Sequence, residues 1–112
     1  MDERRRYQRY QLDQEVSCEV LSGEGTSYKA YLYDISSNGA RLKFEENQYP
    51  YEMAVGDVVN VYNYSQGGDY IDERMTAQAV WYSDSYYGIE YDGSIVKTMD
   101  KLLKAYPTAK PI

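Results

Sequence analysis

Tyr28-Lys29-Ala30-Tyr31-Leu32-Tyr33-Asp34-Ile35-Ser36-Ser37-Asn38-Gly39-Ala40-Arg41-Leu42-Lys43-Phe44 is the stretch from which the fold can be read. Ala30 and Leu32 share one face of an extended segment, and Ala40, Leu42 and Phe44 alternate with Arg41 and Lys43 in the next. Alternation of period two marks half-buried strands. Between the segments, residues 34–39 supply a carboxylate, hydroxyls, an amide and a glycine, all turn-forming groups. The stretch predicts a hairpin with strands at 28–35 and 40–44.

The same pattern continues on both sides. Val16, Cys18 and Val20 alternate with Ser17 and Glu19, giving a strand at 15–21 that ends in the turn Ser22-Gly23-Glu24-Gly25. Residues 45–57 form a polar loop with Pro50 and Gly56, before a strand at 58–64 and the Gln66-Gly67-Gly68-Asp69 loop. Strands at 75–82 and 86–91 flank Ser83-Asp84-Ser85. Six short strands with turns between them predict a small antiparallel barrel or sandwich. After Asp92-Gly93 the period changes: Ile95, Met99, Leu102, Leu103 and Tyr106 fall at helical spacing, with Lys97, Lys101 and Lys104 off that stripe. Ser94 is the expected cap and Pro107 the stop. The whole reads as one mainly β domain, with an arm at 1–13, a barrel at 14–92 and a helix at 93–107.

Charge narrows the function classes. The net charge is −6, which opposes bulk nucleic-acid binding. Within residues 44–96 the only cation is Arg74, against ten carboxylates. Positive charge collects in the arm, in Lys29, Arg41 and Lys43, and near the C-terminus, a layout suited to a small anion rather than a duplex. Cys18 is the single cysteine and histidine is absent, so the commonest metal ligand and general base are missing. The charged N-terminus, followed by no apolar stretch, is not expected to act as a secretory leader, and no apolar run reaches membrane-spanning length. These features predict a reduced, cytoplasmic protein without membrane insertion. The fifteen tyrosines are expected on half-buried strand faces.

Two motifs carry chemistry. The run Glu3-Arg4-Arg5-Arg6-Tyr7-Gln8-Arg9 concentrates four guanidinium groups. Some 25 residues on, Asp34-Ile35-Ser36-Ser37-Asn38-Gly39 places a carboxylate at a strand end. Arginine forks grip phosphate and the O6/N7 edge of guanine, and a carboxylate accepts from base N–H groups. Brought together, they make a nucleotide clamp. Taken singly, an arginine run reads as a solvated tail, and Asp-x-Ser-x-x-Gly as turn chemistry in which glycine permits positive φ.

The combination resembles the PilZ domain, a bacterial receptor module for cyclic di-GMP. Its RxxxR pattern matches Arg5-Arg6-Tyr7-Gln8-Arg9, and its D/NxSxxG pattern matches residues 34–39. Gly39-Ala40-Arg41-Leu42, Ala79-Val80-Trp81 and Tyr87-Gly88-Ile89-Glu90-Tyr91 are similar to its later strands. The resemblance implies a six-stranded antiparallel barrel with a C-terminal helix, whose flexible arginine arm folds over ligand on the outer face. It implies that Asp34 accepts from the guanine edge, Ser36 bonds the ligand and Gly39 lets backbone approach. Arg5 and Arg9 would hold phosphates and guanine O6/N7. Arg4, directly before RxxxR, matches members that take a mutually intercalated ligand dimer. Arg6, Asn38, Arg41 and Trp81 are further candidates, Trp81 as a flank for a base or simply as a rim aromatic.

No cofactor or metal is expected, and an unidentified downstream protein is. The paired carboxylates Glu45/Glu46 and Asp72/Glu73 are adjacent and would point to opposite faces of a strand, and no Ser/His/Asp set exists, so the chain reads as a non-enzyme. The alternatives are a ligand-independent adaptor of the same fold and a single-stranded nucleic-acid binder using tyrosine stacking, which the acidic middle opposes.

Overall fold

The computed structural model describes residues 8–45, 53–66, 68–71 and 73–112. Six strands close a barrel: β1 (Tyr10–Leu21), β2 (Ser27–Ile35), β3 (Gly39–Phe44), β4 (Val58–Tyr62), β7 (Met75–Ser83) and β8 (Tyr86–Tyr91). Each pairs antiparallel with its neighbours in the cyclic order β1-β2-β3-β8-β7-β4, and β1 meets both β2 and β4. Closure leaves no open edge along this ring, and it buries one alternate set of side chains. Val16, Cys18 and Val20 face Leu32, Ala30, Leu42, Ile89, Ala79, Val59 and Val61 in that core. The expected hairpin of β2 and β3 is present, with Leu32 opposite Leu42 and Ile35 opposite Ala40.

The fourth strand differs from the sequence expectation. It stops at Tyr62 because Asn63 takes a left-handed φ of 51°, and the chain then forms β5 (Tyr64–Gln66). Asparagine tolerates that conformation better than most residues. β5 pairs with β6 (Asp69–Ile71), a strand absent from the sequence reading, in a separate two-stranded ribbon. The turn swings Tyr64 into the core, where its hydroxyl meets that of Tyr91. Burial pushes both phenols upward, Tyr64 well above the ordinary tyrosine range. Among the described residues, the other tyrosines are mostly half-buried, as expected. β7 and β8 join through Asp84 and Ser85, both left-handed, with Ser83 opposite Tyr86. Two consecutive left-handed residues suit the right-handed twist of a tight hairpin.

Helix α1 (Val96–Ala105) buries Thr98 and Leu102 on one face. The cap is displaced from expectation: Ile95 occupies the N-cap position, and Ser94 Oγ accepts from Val96 N–H at 3.3 Å. Tyr106, just past the helix, donates its hydroxyl to the Ser65 carbonyl at 3.2 Å, tying the helix end to β5. The chain then returns as β9 (Lys110–Pro111), pairing with Tyr10 and Gln11.

β1 also begins earlier than expected, at Tyr10 rather than residue 15. Asp13, Gln14 and Glu15 are all exposed and break the alternation, which hid this part of the strand from a period-two reading. A register irregularity between Gln11 and Val16 accommodates them. Residues 10–13 of the expected arm are therefore strand, and residues 1–7 lie outside the described residues. No helix among the described residues is long and apolar enough to cross a membrane.

Candidate functional site

Cross-strand register builds the site. Gln11 stands opposite Asp34, Asp34 opposite Arg41, Arg41 opposite Gly88, and Gly88 opposite Trp81. The neighbouring row, Ile35, Ala40 and Ile89, is buried in the core. Side chains alternate between faces, so the row from Asp34 to Trp81 lies on the outer wall. Bulges next to Tyr33 and Val80 set this phase, since the register shifts between Leu32 and Asp34 and again between Ala79 and Trp81.

Asp34 is on that wall and yet fully buried. Two guanidinium groups cover it. Arg9 Nη2 donates to Oδ1 at 2.8 Å, while Arg41 donates to Oδ2 through Nε at 3.0 Å and Nη2 at 2.5 Å. A carboxylate out of water is costly unless it is paired and hydrogen-bonded, and both its oxygens are satisfied here. The arginine side chains remain 39% and 33% exposed, so their unused N–H groups face solvent. The Arg41 guanidinium also stacks 4.3 Å from the centre of the Tyr33 ring, and Tyr33 packs on Tyr86 at 5.3 Å. Tyr33 was not singled out in the sequence, because one tyrosine among fifteen carries no signal.

Ser36 is fully buried and turned into its own loop. Its hydroxyl donates to Asn38 Oδ1 at 2.8 Å, and its N–H donates to the Gly39 carbonyl at 2.8 Å. The loop is pinned from outside as well: Tyr91 N–H donates to the Asn38 carbonyl and Ile95 N–H to the Ser37 carbonyl, each at 2.8 Å. Beside the loop, a groove of about 630 Å³ runs from Gln8 and Tyr10 past Ser37 and Asn38 to Glu90 and Ser94.

The two glycines of the site have different physical roles. Gly39 is not among the left-handed glycines, so the positive-φ explanation is corrected. A β-carbon there would stand 2.6 Å from the Ile89 carbonyl oxygen, and the residue is glycine because β8 backbone passes so close. At Gly88 a β-carbon would fall 2.1 Å from the Trp81 indole, which lies across it. Trp81 is 41% exposed, a rim aromatic with its ring open to solvent.

Of the sequence candidates, Arg9, Asp34 and Arg41 come into direct contact, Ser36, Asn38 and Gly39 shape the adjoining loop, and Trp81 ends the same outer row. Arg4, Arg5 and Arg6 lie outside the described residues. No group of three or more metal-ligating side chains occurs among the described residues. No curated protein matches this chain. The PilZ domain family model matches residues 3–106, a span holding both motifs, the closed barrel and its helix, and the chain belongs to the PilZ domain family.

Proposed function

We propose that this chain is a receptor for cyclic di-GMP. PilZ domains are receptor and adaptor modules for that messenger rather than enzymes. The observation that carries the reading is the meeting of Arg9 and Arg41 on Asp34, at an open outer wall.

A guanidinium has five N–H donors. Arg41 commits two to Asp34 and Arg9 one, so both retain donors for phosphate oxygens and guanine O6/N7. Arg5 adds a further fork from the arm, and Arg4 suits a mutually intercalated pair of ligand molecules. Arg6 has no separate role in this scheme. Asp34 receives guanine N1–H and N2–H only if Arg9 yields Oδ1, and a phosphate compensates Arg9 for that exchange. Ser36 and Asn38 keep the loop in shape, and Trp81 offers an exposed ring beside Gly88 for a base. Binding gathers the arm and its charge onto one face, a change that a downstream protein or a second copy can read. The reading entails a cytoplasmic location and no polymeric nucleic acid.

The adaptor reading has one observation in its favour: Asp34 is already satisfied within the chain. Isothermal titration with cyclic di-GMP separates the two, with GTP and an Arg5→Ala/Arg9→Ala variant as controls. Saturable binding lost in the variant supports the receptor, and a stoichiometry near two supports the intercalated pair. A folded wild type that does not bind leaves the ligand-independent adaptor.

A further inference from the structure

We infer that the C-terminal strand β9 is a positioning element of the arginine site, holding Arg9 where its fork reaches Asp34. The inference rests on the receptor reading above and assigns a role to a segment that neither motif contains. β1 at Tyr10 and Gln11 is gripped from both sides, since Ile35 and Asp34 pair with them on one edge and Pro111 and Lys110 on the other. The grip extends one residue further, onto Arg9 itself. Ile112 N–H donates to the Arg9 carbonyl at 3.0 Å. The Gln8 side-chain amide reaches both the Arg9 carbonyl and the Ile112 main-chain oxygen, each at 3.0 Å. At the other end of the segment, Thr108 Oγ1 donates to Asp13 Oδ1 at 2.8 Å.

Arg9 is thus fixed twice, by its main chain to the C-terminal segment and by its side chain to Asp34. Beyond Ala109, which packs against the core and donates its N–H to the Tyr106 carbonyl at 3.1 Å, the tail has no apolar anchor: Lys110, Pro111 and Ile112 are all exposed, and none belongs to the core. A strand of two residues with an exposed flank depends chiefly on these few bonds. Its pairing and the position of Arg9 therefore rise and fall together. Equilibrium linkage then runs both ways: if the paired tail favours ligand binding, bound ligand must favour the paired tail by the same factor.

Two variants test this, measured by titration with cyclic di-GMP and by amide hydrogen exchange. One deletes Lys110, Pro111 and Ile112. The other is Ile112→Pro, which removes the N–H donated to Arg9 and keeps chain length. Both are expected to bind about five- to tenfold more weakly, the equivalent of one or two main-chain hydrogen bonds. In the wild type, the ligand is expected to slow exchange at the Ile112 amide by a similar factor, a readout that a purely structural tail would not move. Wild-type binding with unchanged affinity in both variants overturns the inference, as does faster Ile112 exchange on ligand binding. Absence of binding by the wild type removes the receptor reading and this inference with it.

Discussion

Arg9 and Asp34, 25 residues apart in the chain, are joined at 2.8 Å across the pairing of β1 with β2. This contact makes a single unit of the arginine run and the turn motif. A fork that is 39% exposed is only partly desolvated, so its loss falls at the low end of the range for charged contacts. Arg9→Ala is expected to weaken cyclic di-GMP binding by roughly 2 kcal/mol in titration.

Arg41→Lys tests the structural half of the same unit. Lysine has no planar fork to bond Oδ2 through two donors while stacking on Tyr33. The buried Asp34 carboxylate is then under-satisfied, and urea unfolding is expected to show a loss of about 1–3 kcal/mol.

Gly39→Ala and Gly88→Ala are expected to behave oppositely. At Gly39 the new methyl meets the Ile89 backbone at 2.6 Å, so β3 and β8 must part, costing about 1–3 kcal/mol in chemical denaturation. At Gly88 its three nearest atoms, from 2.1 Å, all belong to the Trp81 ring, and that ring is expected to swing away. The barrel should then keep most of its stability while Trp81 fluorescence shifts to the red.

Tyr64 and Tyr91 share a buried hydroxyl pair. Tyr64→Phe leaves the Tyr91 hydroxyl without that partner and is expected to cost about 1–2 kcal/mol, with much of this recovered in the Tyr64→Phe/Tyr91→Phe double variant. Both phenols titrate above the ordinary 10.0 in the folded chain, chiefly through burial. Their contribution to stability is complete below pH 10.0 and is lost as pH rises beyond it. Phenolate absorbance should show these two groups withheld in alkali until the chain unfolds.

Glu73 joins the segment before β7 to α1 through the Lys101 ammonium and the Thr98 hydroxyl. Those two bonds hold its carboxyl below the ordinary 4.5, the Lys101 bond contributing most. A lowered acid stabilises the fold above its unfolded value, and that gain disappears as pH falls through the folded one. The wild type should exceed Glu73→Gln in melting temperature at neutral pH and converge with it in acid, once pH has fallen through the lowered folded value. The pair is substantially exposed, so the gap should stay under about 1 kcal/mol.

Much of this architecture was legible because burial leaves a periodic trace. Val16, Cys18 and Val20, or Ala40 and Leu42, occupy every second position because a barrel wall has an inside and an outside. Ile95, Leu102 and Tyr106 reveal the helix through its own period. Where burial is interrupted, the trace fails. Asp13, Gln14 and Glu15 conceal the start of β1, the β5–β6 ribbon is too short to set a period, and the exposed β9 carries no apolar pattern.

The sequence by itself determined the barrel class, the helix, the family and the two motifs, since these rest on local alternation and residue type. Tertiary structure alone decided that Asp34 would be buried under Arg9 and Arg41, that Ser36 would serve its own loop, and that Gly39 and Gly88 would face different obstacles. It also brought Ile112 to Arg9. These are relations between residues distant along the chain, set by register and closure, and register appears only when strands pair.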